Sequence, residues 1–138
     1  MGPSALIFSV DRDRSALARQ QKARGQRFAQ APTSVVLGDF TEALDLPQLD
    51  GVVMANSLHF TEDKASVLKF VHSYLKPGGR LIVVEYDVDR GNPWVPFPFS
   101  FATWQTLAQK SGFSAPELIG RHESRWLRGL YSAVPTRQ

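Results

Sequence analysis

The sequence predicts an α/β fold with a mostly parallel sheet, helices on both faces and an antiparallel last strand. Three observations predict it. Short apolar runs such as Gly51-Val52-Val53-Met54-Ala55 carry β-branched residues without polar alternation, the pattern of a strand covered on both faces. The probable strands end in polar residues before a turn: Asp11, Asp39, Asn56, and Glu85 with Tyr86. Between them lie segments of helical period, clearest at Ala65, Leu68, Val71 and Leu75. Ligands of open α/β sheets sit beyond the carboxyl ends of the strands. The polar row is therefore the expected working edge.

The elements follow in order. Residues 1–4 are a flexible start, and residues 5–10 read as a first strand ending at Asp11. Asp13 is placed to cap a helix over residues 14–24, with Gly25 just past its end. Its apolar face is thin, Leu17 with several alanines. Residues 34–37 form a second strand, leading to Gly38-Asp39-Phe40, and residues 51–55 a third. Thr61 is the expected cap of the next helix, and Glu62 and Asp63 suit its positive end. Lys76-Pro77-Gly78-Gly79 stops it. Residues 80–86 are a buried-type strand. Three prolines keep residues 87–100 irregular. A helix over 103–111 closes at Gly112-Phe113, and strands at 116–120 and 130–134 finish the chain. No internal repeat or long linker divides the 138 residues, which read as a single domain.

Composition narrows the function. A hydrophobic content of 43% and three Trp fit a globular chain. No run approaches the roughly 20 apolar residues of a membrane span, and no secretory signal is visible. There is no cysteine, which removes thiol nucleophiles and thiolate metal ligands and fits a cytoplasmic protein. Three scattered His argue against zinc, so no metal is expected. The formal charge is +3, with basic clusters between Arg12 and Arg27 and between Arg121 and Arg137. A solvated helix face explains these more simply than nucleic acid, because no aromatics interleave with the first cluster.

Several residues have two readings each. Asn56, Ser57 and His59 lie on the working edge, or merely form a strand-to-helix turn. An Asp at a strand end can accept from ribose hydroxyls, and a neighbouring carboxylate or backbone group from an adenine amine. Asp11 and Asp39 fit those roles, with helix capping as the alternative. Trp94, Phe97 and Phe99 either cap the core or a dimer contact, or line a substrate pocket.

Taken in sequence, these elements resemble the class I S-adenosylmethionine-dependent methyltransferases, from that family's second strand to its last. Ser9-Val10-Asp11-Arg12-Asp13, Gly38-Asp39-Phe40, and Asp50-Gly51-Val52-Val53 with Asn56-Ser57-Leu58-His59-Phe60 are similar to its second, third and fourth strand ends. Leu75-Lys76-Pro77-Gly78-Gly79 is the most specific match, and Ser111-Gly112-Phe113 matches the turn before its sixth strand. The resemblance implies a Rossmann-like fold and S-adenosylmethionine as cofactor. Asp11, Arg12, Asp39, Phe40, Asn56 and Ser57 would contact it. Trp94, Phe97 and Phe99 would meet a small-molecule acceptor, and His59 or Tyr86 would act as base or orient that acceptor.

The family's first strand and glycine-rich loop have no counterpart: Gly2 is the only glycine before Asp11. The expected fold is thus a truncated class I methyltransferase. Either the strand at Ala5 pairs with the one at Gly51, or another chain fills the gap, which makes a homodimer expected. A non-catalytic methyltransferase-like subunit is the alternative function.

Overall fold

The structure, a computed structural model, describes residues 4–27, 32–125 and 127–138. The order is β1 (Ile7–Asp11), α1 (Arg14–Arg27), β2 (Thr33–Leu37), β3 (Leu49–Ala55), a short 3-10 turn (Leu58–Phe60), α2 (Lys64–Tyr74), β4 (Leu75–Tyr86), α3 (Phe101–Lys110), β5 (Glu117–His122) and β6 (Leu130–Val134). The expected flexible start at residues 1–3 lies outside the described residues. The chain divides into two compact units, 1–44 and 45–138.

In the first unit β1 and β2 pair in parallel, Ile7 with Thr33 through Asp11 with Leu37. Asp13 caps α1 as expected: its carboxylate accepts from Ser15 N at 2.8 Å. The helix runs through Gly25 to Arg27, three residues past the expected end, so this glycine does not terminate it. Leu17 alone among the described α1 side chains is fully buried, as the thin apolar face requires.

The second unit holds a four-stranded sheet in the order β3-β4-β6-β5. Only β3 and β4 run parallel; β4–β6 and β5–β6 are antiparallel. The expected single, mostly parallel sheet is therefore two sheets, of which the larger is mixed. The antiparallel last strand is as predicted. Strand β1 has β2 as its partner and β3 has β4, so each keeps one long edge without a strand among the described residues. Val53, on β3, is 65% exposed.

Local chemistry shifts two boundaries. Helix α2 starts at Lys64 and is capped by Asp63, whose side chain accepts from Ser66 N at 3.1 Å. Thr61 instead closes the preceding 3-10 turn. An Asp three residues before a Ser can accept from both its N–H and its hydroxyl, which Thr61 cannot match. Strand β4 starts at Leu75 rather than Arg80, with Leu75 paired to Leu49. Pro77-Gly78-Gly79 ends the helix without ending the extended chain: Gly78 N donates to Arg137 O and Arg137 N to Gly79 O.

The core of the second unit gathers Val67, Leu68 and Val71 of α2, Leu81 and Val83 of β4, Trp104 and Ala108 of α3, and Tyr131 and Ala133 of β6. Alternate residues of a strand share a face. The row Leu81, Val83, Glu85 thus carries a carboxylate in a core position, 0% exposed.

Candidate active site

A carboxylate buried without partners costs several kcal/mol, so the surroundings of Glu85 must satisfy it. They do so through the segment after β3. Asn56 takes a left-handed conformation (φ 50°), which Asn tolerates better than most residues. Its N–H donates to Val84 O at 2.9 Å. The chain then turns back so that Ser57 N and Leu58 N both donate to Glu85 Oε1, at 3.0 and 2.9 Å. The other oxygen, Oε2, lies 2.7 Å from Nδ1 of His59, which is 3% exposed.

The arrangement orients the imidazole. An acceptor facing Nδ1 places the proton there and leaves the Nε2 lone pair free to take another. The ring is held further by Phe60, with centroids 4.3 Å apart, and by Tyr86 at 5.7 Å. Phe97 N donates to His59 O at 2.9 Å, which ties the proline-rich loop to the same turn. Lys64 donates to Thr61 O and lies over the rings of Phe97 and Phe99. Burial lowers its pKa, against the opposing pull of Glu85 and Glu62.

The aromatic loop residues separate. Phe99 is core, packed on Trp104 and Tyr131. Phe97 is partly exposed, and Trp94 is 76% exposed. Trp94 does not cap the core. Its N–H and that of Val95 are turned by the Asn92 side chain.

In the first unit, Asp11 and Asp39 share one rim. Leu37 pairs with Asp11, and Gly38 N donates to Asp11 O, so Asp39 follows immediately beside the β1 end. Asp11 Oδ1 accepts from Asp13 N at 2.8 Å. Asp39 Oδ1 accepts from Thr41 N and Oγ1, bonds that lower its carboxyl pKa, helped by Arg12 at 3.9 Å. Each Asp thus spends one oxygen on a local turn. Oδ2 of each has no hydrogen-bond donor among the described residues. Phe40, next in the turn, is half-buried.

Sequence reasoning marked His59 and Glu85 separately but not as a pair. The signal was present: Glu85 lies near the carboxyl end of β4 and His59 just beyond its neighbour β3, where polar ends meet. No group of residues suited to a metal ion, and no helix long and apolar enough to cross a membrane, occurs among the described residues.

Comparison with known proteins adds the following. Residues 3–81 match a family described as a methyltransferase domain. The highly reducing polyketide synthase ACRTS2 of Alternaria alternata is 33% identical over 51% of this chain; the match spans only 4% of that protein. Magnesium protoporphyrin IX methyltransferase from Synechocystis PCC 6803, solved with bound SAH, superposes with a TM-score of 0.76 at 18% identity. That match covers 97% of this chain and 64% of the enzyme. A SAM-dependent methyltransferase from Methanosarcina mazei gives 0.70 at 15% identity, covering 96% and 82%. The fold is the α/β, Rossmann-like one of class I methyltransferases.

Proposed function

Because the chain belongs to this methyltransferase domain family, we propose that it transfers a methyl group from S-adenosylmethionine to a small-molecule acceptor, with His59 as the base. The buried His59–Glu85 pair carries this reading. A core carboxylate committed to one imidazole and two backbone N–H groups exceeds what a strand-to-helix turn needs.

The rim of the first unit fits an adenosine. Oδ2 of Asp11 and Oδ2 of Asp39, the latter 3.9 Å from the Arg12 guanidinium, are acceptors suited to a ribose diol and an amine. Arg12 and Phe40 flank them. No Gly-x-Gly turn precedes Asp11 to hold the methionine end. The cofactor, when bound, supplies a methyl group on an already activated sulfonium, so the protein's task is mainly positioning. His59 Nε2 takes the proton that the acceptor's nucleophilic atom sheds. Glu85 steadies the imidazolium so formed, and Tyr86 fixes the ring. Trp94 and Phe97 offer the acceptor apolar surface, backed by Phe99.

Calorimetric titration with S-adenosylmethionine tests this. Binding in wild type, and product formation lost in His59→Ala while binding persists, is the expected result. No heat at millimolar cofactor contradicts it.

The open edges of β1 and β3 favour a second reading, a non-catalytic methyltransferase-like subunit that acts as a homodimer. Parallel edges with apolar residues such as Val53 recruit strands. Sedimentation of a strict monomer with intact cofactor binding rejects it.

A further inference from the structure

The second unit contains a cavity of about 670 Å³ beyond the carboxyl end of β4. Its walls include Asp87, Asp89, Arg90 and Ser100 on one side, and Leu127 and Arg128 from the β5–β6 connection on the other. By formal charge the lining is balanced. By availability it is not.

Both carboxylates are already committed. Asp87 is paired with Arg121 and accepts from Phe101 N at 2.8 Å. Asp89 accepts from Ser100 N, Ser100 Oγ and Thr103 Oγ1 at 2.7–2.9 Å. Those bonds lower its pKa, the Ser100 N–H foremost, and keep it an acceptor for α3. Neither Arg90 nor Arg128 is in an ion pair among the described residues, and both side chains are exposed.

The backbone around both arginines is constrained. Arg128 and Leu127 are left-handed, at φ 58° and 52°. Such backbone is unfavourable for a non-glycine residue and survives where the surroundings impose it. Gly129 follows at φ 113°, and a Cβ there would lie 2.7 Å from His122 O. Asp87 N donates to Gly129 O at 3.0 Å, joining the two walls. On the other wall Arg90 precedes Gly91, where a Cβ would lie 2.3 Å from Pro96 O. Each of the two arginines thus precedes a glycine that a larger residue could not replace without moving backbone.

We propose that this cavity is an oxyanion site: Arg90 and Arg128 together bind the carboxylate or phosphate of a small molecule, with Leu127 against its carbon skeleton. Planar guanidinium forks suit both oxyanions. The oxyanion site stands on its own geometry. That its ligand is the methyl acceptor rests on the proposed function and makes that acceptor an anionic small molecule.

The test uses the whole protein and two probes, inorganic phosphate and succinate, titrated by NMR at fixed ionic strength. Saturable binding of either probe, at least tenfold weaker in Arg90→Ala and in Arg128→Ala but unchanged in Arg80→Ala, supports the site. The tighter probe tells phosphate from carboxylate. Absence of binding by both probes, or equal weakening in Arg80→Ala, overturns it. Cofactor titration on the same samples separates the two ideas. Anion binding without cofactor binding removes methyl transfer and keeps the oxyanion site. Cofactor binding without anion binding does the reverse.

Discussion

In residues 4–44 one apolar side chain, Leu17, is fully buried among those described, and Leu6 and Leu37 are exposed. In residues 45–138 two helices and a four-stranded sheet enclose Trp104, Tyr131, Phe113 and a row of Leu and Val. The second unit has enough interior to hold a carboxylate, an imidazole and a lysine alongside its apolar core. The first has scarcely enough to order two strands, since small units bury too little surface to offset chain entropy. Under the proposed function, this difference would place the proton chemistry in the second unit, where a charged pair is shielded and oriented, and cofactor binding on the thin first unit.

Glu85→Gln should strike hardest. Its carbonyl can still accept from Ser57 and Leu58, but its NH₂ would then face His59 Nδ1 and force the proton to Nε2. Turnover should fall about 10²–10⁴-fold with the fold kept, and nitrogen NMR of the ring should show the exchanged tautomer. Unaltered turnover would make the pair structural only. The cores can be compared next. Leu68→Ala should cost about 3 kcal/mol and lower the main transition in a denaturant melt. Leu17→Ala should loosen β1 and β2 and leave that transition in place. A common shift in both variants would mean that the units melt as one.

A smaller effect is expected at Tyr131. Its hydroxyl is buried without a partner among the described residues, and burial, then Glu85 and Asp89, raise its pKa. Tyr131→Phe removes an unsatisfied group and should leave stability unchanged or raise it by about 1 kcal/mol. A clear loss would reveal a partner for the hydroxyl. The smallest effect is a pH dependence. Asp89 has its folded pKa below the ordinary 3.8. It therefore contributes stability above that value and loses it as pH falls through the folded pKa. Asp89→Asn should flatten the acid limb of a stability–pH curve and change little at pH 7.

Much of this was legible in the chain. Apolar runs marked β1, β2, β3 and β4, but the cover on both faces expected for β3 is not found, since Val53 is 65% exposed. Asp13 announced its helix. What stayed hidden depended on partners distant in sequence. Glu85 and His59 are 26 residues apart and meet only because β3 and β4 are neighbours. Leu75 reads as the last apolar step of α2, but pairing with Leu49 makes it strand. Trp94 looked too apolar for the surface, yet the Asn92 turn holds it there. Arg90 and Arg128 are far apart in sequence, and only the fold brings them to line one cavity.

Hydrogen exchange with and without S-adenosylmethionine addresses both halves of the account. Without cofactor, amides of β1 and β2 should exchange far faster than those of β4 and β6. With it, β1 and β2 should slow in wild type, by the stabilisation that ligand binding confers on the folded state, and remain fast in Asp11→Ala with Asp39→Ala. Exchange in β1 and β2 that is indifferent to millimolar cofactor would contradict the assignment of that rim to adenosine.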